Sequence, residues 1–247
     1  VKTKVHKLGI SIAYGCNRSC SNCTHFSNFG LSGMLTVEQA DREMGLWSPR
    51  LEVDTFVLYG GEPTINQDLL KIIDVAAKHF PRVQLSTNGL LLHKIDGLPE
   101  MLKKTNTSIY VSRYSDVDFR PILLLLLQWR NQGIQITLGT YHWTLRYHGQ
   151  GEHIEPYDDG DPEKSWQSCS SKWCFQLHDG KLWKCPHAAY LPLVKRKFPS
   201  LSPAWQPLLD YSPLLPSASD EEVREFVDRK VEKICGLCPA VPERSWP

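Results

Sequence analysis

The chain has 247 residues, 41% of them hydrophobic, which is enough for one large domain, or a domain with a small appendage, around a proper core. Lys and Arg (28) balance Asp and Glu (27) to a net charge of +1. That leaves no basic excess for a nucleic-acid groove, and no nucleic-acid partner is expected. The longest apolar run, residues 122–127, is far short of the roughly 20 residues of a membrane span, so no membrane association is expected. The opening V-K-T-K-V-H-K runs into the first strand without a visible signal peptide, and the expected location is the cytoplasm.

Strand and helix signals alternate through the first 140 residues. Residues 8–14 predict a strand by their β-branched, apolar character. Thr36-Val-Glu-Gln39 spells a capping box and opens a helix to about residue 46. The mostly apolar run 53–59 predicts a buried parallel strand. Asn66 is expected to cap the next helix, where Leu69, Leu70, Ile73 and Ala76 form a stripe at helical spacing. Further along lie a strand over 83–86, a short helix over 98–104 and a strand over 108–112. A leucine-rich helix over 119–132 is closed by Gly133, and a strand over 134–138 follows. Repeated strand–helix units imply an α/β fold with a parallel sheet covered by helices. Five or six repeats fit either a partial barrel or an open doubly wound sheet.

Beyond residue 140 the pattern changes. Residues 141–161 are rich in Tyr, His, Gly and Asp and follow neither periodicity. Residues 168–190 hold three cysteines around the hairpin signal Asp179-Gly180. Residues 198–217 are Pro-rich and read as irregular. Residues 219–234 read as a helix capped by Ser219, with acidic residues in its first turn.

The chemistry concentrates in the cysteines. Cys16, Cys20 and Cys23 stand in A-Y-G-C-N-R-S-C-S-N-C-T-H-F, a C-x3-C-x2-C run directly after the first strand. Three thiolates this close can converge on one metal cluster. With no fourth ligand nearby, a four-iron cube would keep one iron open for a small molecule. A structural zinc site or three buried thiols are the plainer alternatives. Eight cysteines could form four disulfides, but a chain this long does not need them, and C-x3-C-x2-C and C-x2-C read as metal sites in a reducing compartment. At the end of the second strand stands Tyr59-Gly60-Gly61-Glu62-Pro63; its glycines admit close backbone approach and Glu62 can accept a hydrogen bond from an ammonium group.

The cysteine run resembles the cluster loop of the radical S-adenosylmethionine (SAM) superfamily, and G-G-E-P resembles that family's SAM-amino motif. The resemblance implies a partial (β/α)6 TIM-type barrel. It also implies a [4Fe-4S] cluster on Cys16, Cys20 and Cys23, S-adenosyl-L-methionine on its open iron, and a 5′-deoxyadenosyl radical as the reactive species. Gly60, Gly61, Glu62 and Pro63 are then cofactor-binding. Thr87 and Asn88 resemble the family's T-N-G turn, and Ser112 and Arg113, at the end of the fourth strand, suit ribose and carboxylate contacts. One departure is Asn22, where the family usually has an aromatic residue near the adenine; Phe26 or Phe29 could take over the stacking.

Cys169, Cys174, Cys185, Cys235 and Cys238 remain. The hairpin between Cys174 and Cys185 and the distant Cys235-Gly-Leu-Cys238 resemble the auxiliary-cluster module called twitch, a shortened SPASM domain, which implies a second [4Fe-4S] cluster. A zinc ribbon is the alternative. Five cysteines exceed the four a fully ligated cluster needs; Cys169 and Cys174 are alternatives by spacing, and a spare thiol could be a buried bystander or a hydrogen-atom donor. The expected domains are therefore 1–160, the barrel, and 161–247, the cluster module. Arg146, Tyr147 or His148 could wall a substrate pocket. Lys195-Arg196-Lys197 could dock a flavodoxin or ferredoxin-type electron donor, or be a solvated loop. The leading functional expectation is hydrogen abstraction from a small polar molecule, with oxidation or epimerisation of a sugar or aminocyclitol carbon. Peptide modification is the second expectation, disfavoured because only fifteen residues precede Cys16. A non-catalytic zinc-binding interaction module is the third.

Overall fold

The computed structural model describes residues 1–114, 116–139 and 143–245, and the side chains of all of these except 116–118, 143, 244 and 245. Five strands appear in chain order: β1 (Thr3–Ala13), β2 (Leu51–Gly60), β3 (Val83–Thr87), β4 (Ser108–Val111) and β5 (Ile136–Leu138). The helices α1 (Val37–Trp47), α2 (Leu69–His79), α3 (Leu98–Lys104) and α4 (Asp116–Asn131) connect them. All five strands are parallel, and each pairs with the next. β1 is buried on both faces from Leu8 to Ala13, as a central strand of a helix-covered sheet must be. The parallel α/β sheet implied by the alternation is thus present.

The last third of the chain enters the same sheet. After the two-residue strands β6 (Trp143–Thr144), β7 (Tyr147–His148) and β8 (Glu155–Pro156) and helix α5 (Pro162–Ser168), β9 (Cys174–His178) lies parallel to β1 on its free side. β10 (Lys181–Trp183) pairs antiparallel to β9, giving the order β10-β9-β1-β2-β3-β4-β5. Asp179 and Gly180 both take positive φ, 54° and 72°, as the predicted hairpin turn requires. Helix α1 grips that turn: Trp47 Nε1 donates to Gly180 O at 3.1 Å, and Glu43 Oε1 accepts from Gly180 N at 2.7 Å. Glu43 and Trp47 are four apart and share one helix face.

Helix α6 (Pro186–Lys197) follows the hairpin, then the one-turn helix α7 (Gln206–Leu209) and α8 (Asp220–Asp228). The helix expected over 219–234 stops at Asp228. Lys184 Nζ takes up the carbonyls of Phe226 and Arg229, and Arg229 pairs with Glu232 at 2.8 Å. The chain is then free to form a 3-10 turn, Lys233–Leu237, carrying Cys235. Asn66 does not cap α2 as expected. Its amide donates to the carbonyls of Ile12 and Leu35, tying the strand end to the loop before α1, and its Oδ1 accepts from Asp68 N.

Two hydrophobic clusters result. The larger fills the space between sheet and helices, with Leu8, Ile10, Phe56, Ile73, Leu85, Ile109 and Leu177 at its centre. The second joins Phe26, Phe29 and Leu31 of the cysteine loop to Tyr147, Trp183, Trp205 and α6. The loop after β1 is therefore packed against the C-terminal segment. No helix among the described residues is long and apolar enough to cross a membrane.

Candidate functional site

The three-cysteine loop leaves the C-terminal end of β1, and the G-G-E-P turn leaves β2 beside it. Backbone pairing continues past both strands: Gly61 N donates to Ala13 O at 2.8 Å, and Glu62 N to Gly15 O at 2.9 Å. This contact explains the double glycine. A Cβ on Gly60 would lie 2.0 Å from Ala13 O, and one on Gly61 would lie 2.1 Å from Gly15 O. The close approach is to the cysteine loop itself.

Glu62 is fully buried. Its Oε1 accepts from Thr64 N at 3.0 Å, Thr64 Oγ1 at 2.6 Å and Thr87 Oγ1 at 2.6 Å, while Oε2 accepts from Asn88 N at 2.7 Å. Burial pushes its carboxyl above the usual range, and these four bonds pull against it. Oε2 carries one of them and keeps a lone pair for a further donor. Asn88 Nδ2 donates to Asn17 Oδ1 at 2.7 Å, so the T-N-G turn is fastened to both Glu62 and the cysteine loop. Ser112 N donates to Thr87 O at 2.9 Å, extending the ledge to the end of β4.

These strand ends surround a cleft of about 230 Å³ lined by Cys23, Gly60, Gly61, Thr87, Asn88 and Ser112. His25, Tyr59, Tyr110 and Tyr114 complete its wall, and sequence reasoning missed them as site residues. Tyr59 and Tyr110 lie in β2 and β4 with their rings turned inward, a signal strand alternation carries only once the faces are known. Arg113 stacks its guanidinium over Phe119 at 5.2 Å. The aromatic substitutes proposed for Asn22 are elsewhere: Phe26 has no exposed surface and packs on Tyr147 at 5.6 Å, and Phe29 lies with it in the second core.

The thiols of the loop lie close enough to oppose one another's ionisation. Burial, then the charges of Glu62, Cys23 and Cys20, push Cys16 up to about 11, against a hydrogen bond from the Arg18 backbone. Cys20 is raised by burial and by Cys23, against hydrogen bonds from Arg18 and Tyr114. A cationic centre bound between them would lower these values and favour the thiolates, which is how such a donor set can accommodate a metal cluster.

A second, smaller cavity of about 50 Å³ is lined by Cys169, Cys185, Cys235 and Cys238 together with Arg146, Lys184 and His187. Burial raises Cys185, Cys235 and Cys238, the last to about 12, and each is raised further by the charges of others in the set. Cys174 stands apart at the start of β9, where its Sγ lies 3.7 Å from Tyr59 Oη and 3.4 Å from Gln176 Nε2. Among the described residues no three His, Cys, Asp or Glu side chains close around a single-ion site.

The linker residues do not face the cleft. Tyr147 is core, with its hydroxyl at Asn28, His148 stacks on Tyr157 with centroids 3.9 Å apart, and Arg146 turns toward Cys169. Tyr141 and His142 of that stretch lie outside the described residues. The basic run 195–197 ends α6, with Lys195 Nζ donating to Pro199 O and Lys197 Nζ to Gly30 O.

Among known proteins, the model of the Radical SAM superfamily matches residues 10–116, the stretch from β1 through the cysteine loop and Glu62 to the start of α4. Residues 10–116 thus resemble a radical SAM domain. A GTP 3′,8-cyclase from Rhodopirellula baltica is 35% identical over 109 residues, covering 41% of this chain and 30% of the relative. The mycofactocin maturase MftC of Mycolicibacterium smegmatis is 29% identical over 107 residues, 43% of this chain and 26% of that one. The chain thus spans under a third of the length of these curated relatives. The crystal structure of BtrN in complex with AdoMet and 2-DOIA shares the fold over 96% of this chain and 94% of its own, with a TM-score of 0.55 and 13% identity. The likeness in fold extends beyond residues 10–116 to the C-terminal segment.

Proposed function

We propose that this protein is a radical SAM enzyme that abstracts a hydrogen atom from a small polar substrate, of sugar or aminocyclitol type, leading to oxidation or epimerisation. The observation that carries this reading is the fastening of the Cys16–Cys20–Cys23 loop to Glu62, Thr87 and Asn88 at the strand ends, beside a cleft that Cys23, Thr87 and Asn88 line, inside the matched residues. Cys16, Cys20 and Cys23 hold a [4Fe-4S] cluster, which with bound SAM supplies the 5′-deoxyadenosyl radical. The chain's own residues bind and orient. Glu62 Oε2 would accept from the SAM ammonium, Gly60, Gly61 and Pro63 would shape the backbone around it, Asn88 fixes the cysteine loop, and Ser112, which lines the cleft, would reach the ribose, whereas Arg113 is held over Phe119. Tyr59, Tyr110, Tyr114 and His25 wall off water from the reacting carbon.

Cys169, Cys185, Cys235 and Cys238 hold a second [4Fe-4S] cluster, with residues 161–247 as the cluster module on a barrel of residues 1–160. A flavodoxin or ferredoxin-type protein in the cytoplasm delivers electrons. The narrow, tyrosine-rich cleft supports a small polar substrate, and so does BtrN, crystallised with 2-DOIA on the same fold. The local similarity to MftC keeps peptide modification as the second reading.

The test is iron and sulfide content after anaerobic reconstitution, with 5′-deoxyadenosine formation measured under reduction. About eight irons per chain and deoxyadenosine are expected for two four-iron clusters. About four irons with deoxyadenosine would remove the second cluster. Zinc without iron would leave the zinc-binding module as the better description.

A further inference from the structure

One residue joins the two cysteine sites. Asn22, between Cys20 and Cys23, takes a left-handed φ of 57°. Its Oδ1 accepts from the backbone N–H groups of Arg146 at 2.9 Å and Tyr147 at 3.1 Å. Arg146 is only 2% exposed. Its Nη1 donates to Cys169 Sγ at 3.6 Å and its Nη2 to Ser170 Oγ at 2.7 Å. Ser171 N adds a second bond to the same sulfur at 3.3 Å. Two other cations around that cavity are used differently: Lys184 Nζ donates to carbonyls of α8 and its exit, and Lys172 Nζ to Gln167 O.

We propose that Arg146 sets the reduction potential of the C-terminal cysteine site, and that Asn22 is the positioning residue that holds it there. This rests on the reading that Cys169, Cys185, Cys235 and Cys238 carry an iron–sulfur cluster. A buried guanidinium hydrogen-bonded to a ligand sulfur stabilises the more negative, reduced state, and so raises the potential. Because the hold on Arg146 comes from the loop between Cys20 and Cys23, any rearrangement of that loop reaches Cys169 through Asn22, without contact between the two clusters.

The test is a redox titration followed by electron paramagnetic resonance on the full chain. In a Cys16→Ala background, which leaves Cys20, Asn22 and Cys23 in place, the N-terminal site lacks one of its three ligands and only the C-terminal site can carry a four-iron cluster. Absence of iron there overturns the cluster reading and this inference with it, before any Arg146 variant is made. With iron present, Arg146→Met is expected to weaken electron uptake at least tenfold, about 59 mV to lower potential for a one-electron couple. Arg146→Lys, which keeps the charge and the packing but loses the fork, moves the midpoint part of the way and serves if the Met variant does not fold. Retained iron with an unmoved midpoint in these variants overturns the role of Arg146. Asn22→Ala should move the midpoint in the same direction as Arg146→Met. An unmoved midpoint there overturns the part assigned to Asn22.

Discussion

Glu62 shows how much one side chain organises. Its four hydrogen bonds lock β2, the turn after it and the T-N-G turn of β3 into one ledge. Glu62→Ala would leave these buried donors without acceptors, at a cost of about 3 kcal/mol. Glu62→Gln is the cleaner probe: iron content should stay near that of the native chain while SAM affinity, measured by equilibrium dialysis, falls at least tenfold. Undiminished affinity would remove Glu62 from the SAM pocket. Gly61→Ala should act on the loop itself, since its Cβ meets Gly15 O at 2.1 Å; lower iron incorporation and a loss of about 3 kcal/mol in urea unfolding are expected. The cysteines and Glu62 were legible because their spacing carries chemistry. Tyr59 and Tyr110 were not, because a tyrosine on a strand looks like core until the concave face is known; His25 and Tyr114 were not, because they stand in loops after β1 and β4 with no local pattern to single them out. Asn22 was legible as a departure, yet its role in holding residues 146 and 147 depends on a contact across 124 positions that no local pattern encodes.

Among the elements, the hairpin β9–β10 is the one that reorganises the chain. Cys174 opens β9 beside Lys7 of β1 and is turned toward Tyr59, away from the cavity of the other four cysteines. Cys174→Ala should therefore keep the iron content of the native chain, whereas Cys185→Ala or Cys238→Ala should lose about four irons per chain. The clamp from α1 onto Gly180 titrates. Burial raises the Glu43 carboxyl above its ordinary 4.5, against the bond from Gly180. Between its unfolded and folded values the native state binds more proton than the unfolded chain, so stability falls as pH rises through that window. Glu43→Gln keeps the oxygen that accepts from Gly180 and should flatten this slope; urea midpoints from pH 4 to pH 8 check it. Sequence signals found the capping box at Thr36, the cap at Ser219 and the Asp179-Gly180 turn, all of them local. They missed α5 and α6, although Pro162 and Pro186 stand at the first helical positions and the 195–197 run supplies basic residues to the last turn of α6. Pro192 inside α6 masks its pattern, and α8 was overextended because the captor of its last carbonyls, Lys184, lies more than 40 residues upstream.

At the scale of the whole molecule, the parallel sheet followed from strand–helix alternation, whereas the pairing of β9 with β1 did not. Nothing in residues 174–178 names its partner, since parallel neighbours are set by packing and not by a turn. In this arrangement β1 gains its second neighbour only when β9 is made, after β2 to β5. Until residues 174–178 have left the ribosome, the nascent chain carries β1 with one side unpaired and the adjoining thiols uncovered. An open edge of this kind is prone to wrong partners. Production of this protein should therefore depend on how fast translation delivers β9 and β10, with synonymous slowing before codon 174 raising aggregation more than the same slowing after codon 228, the end of α8.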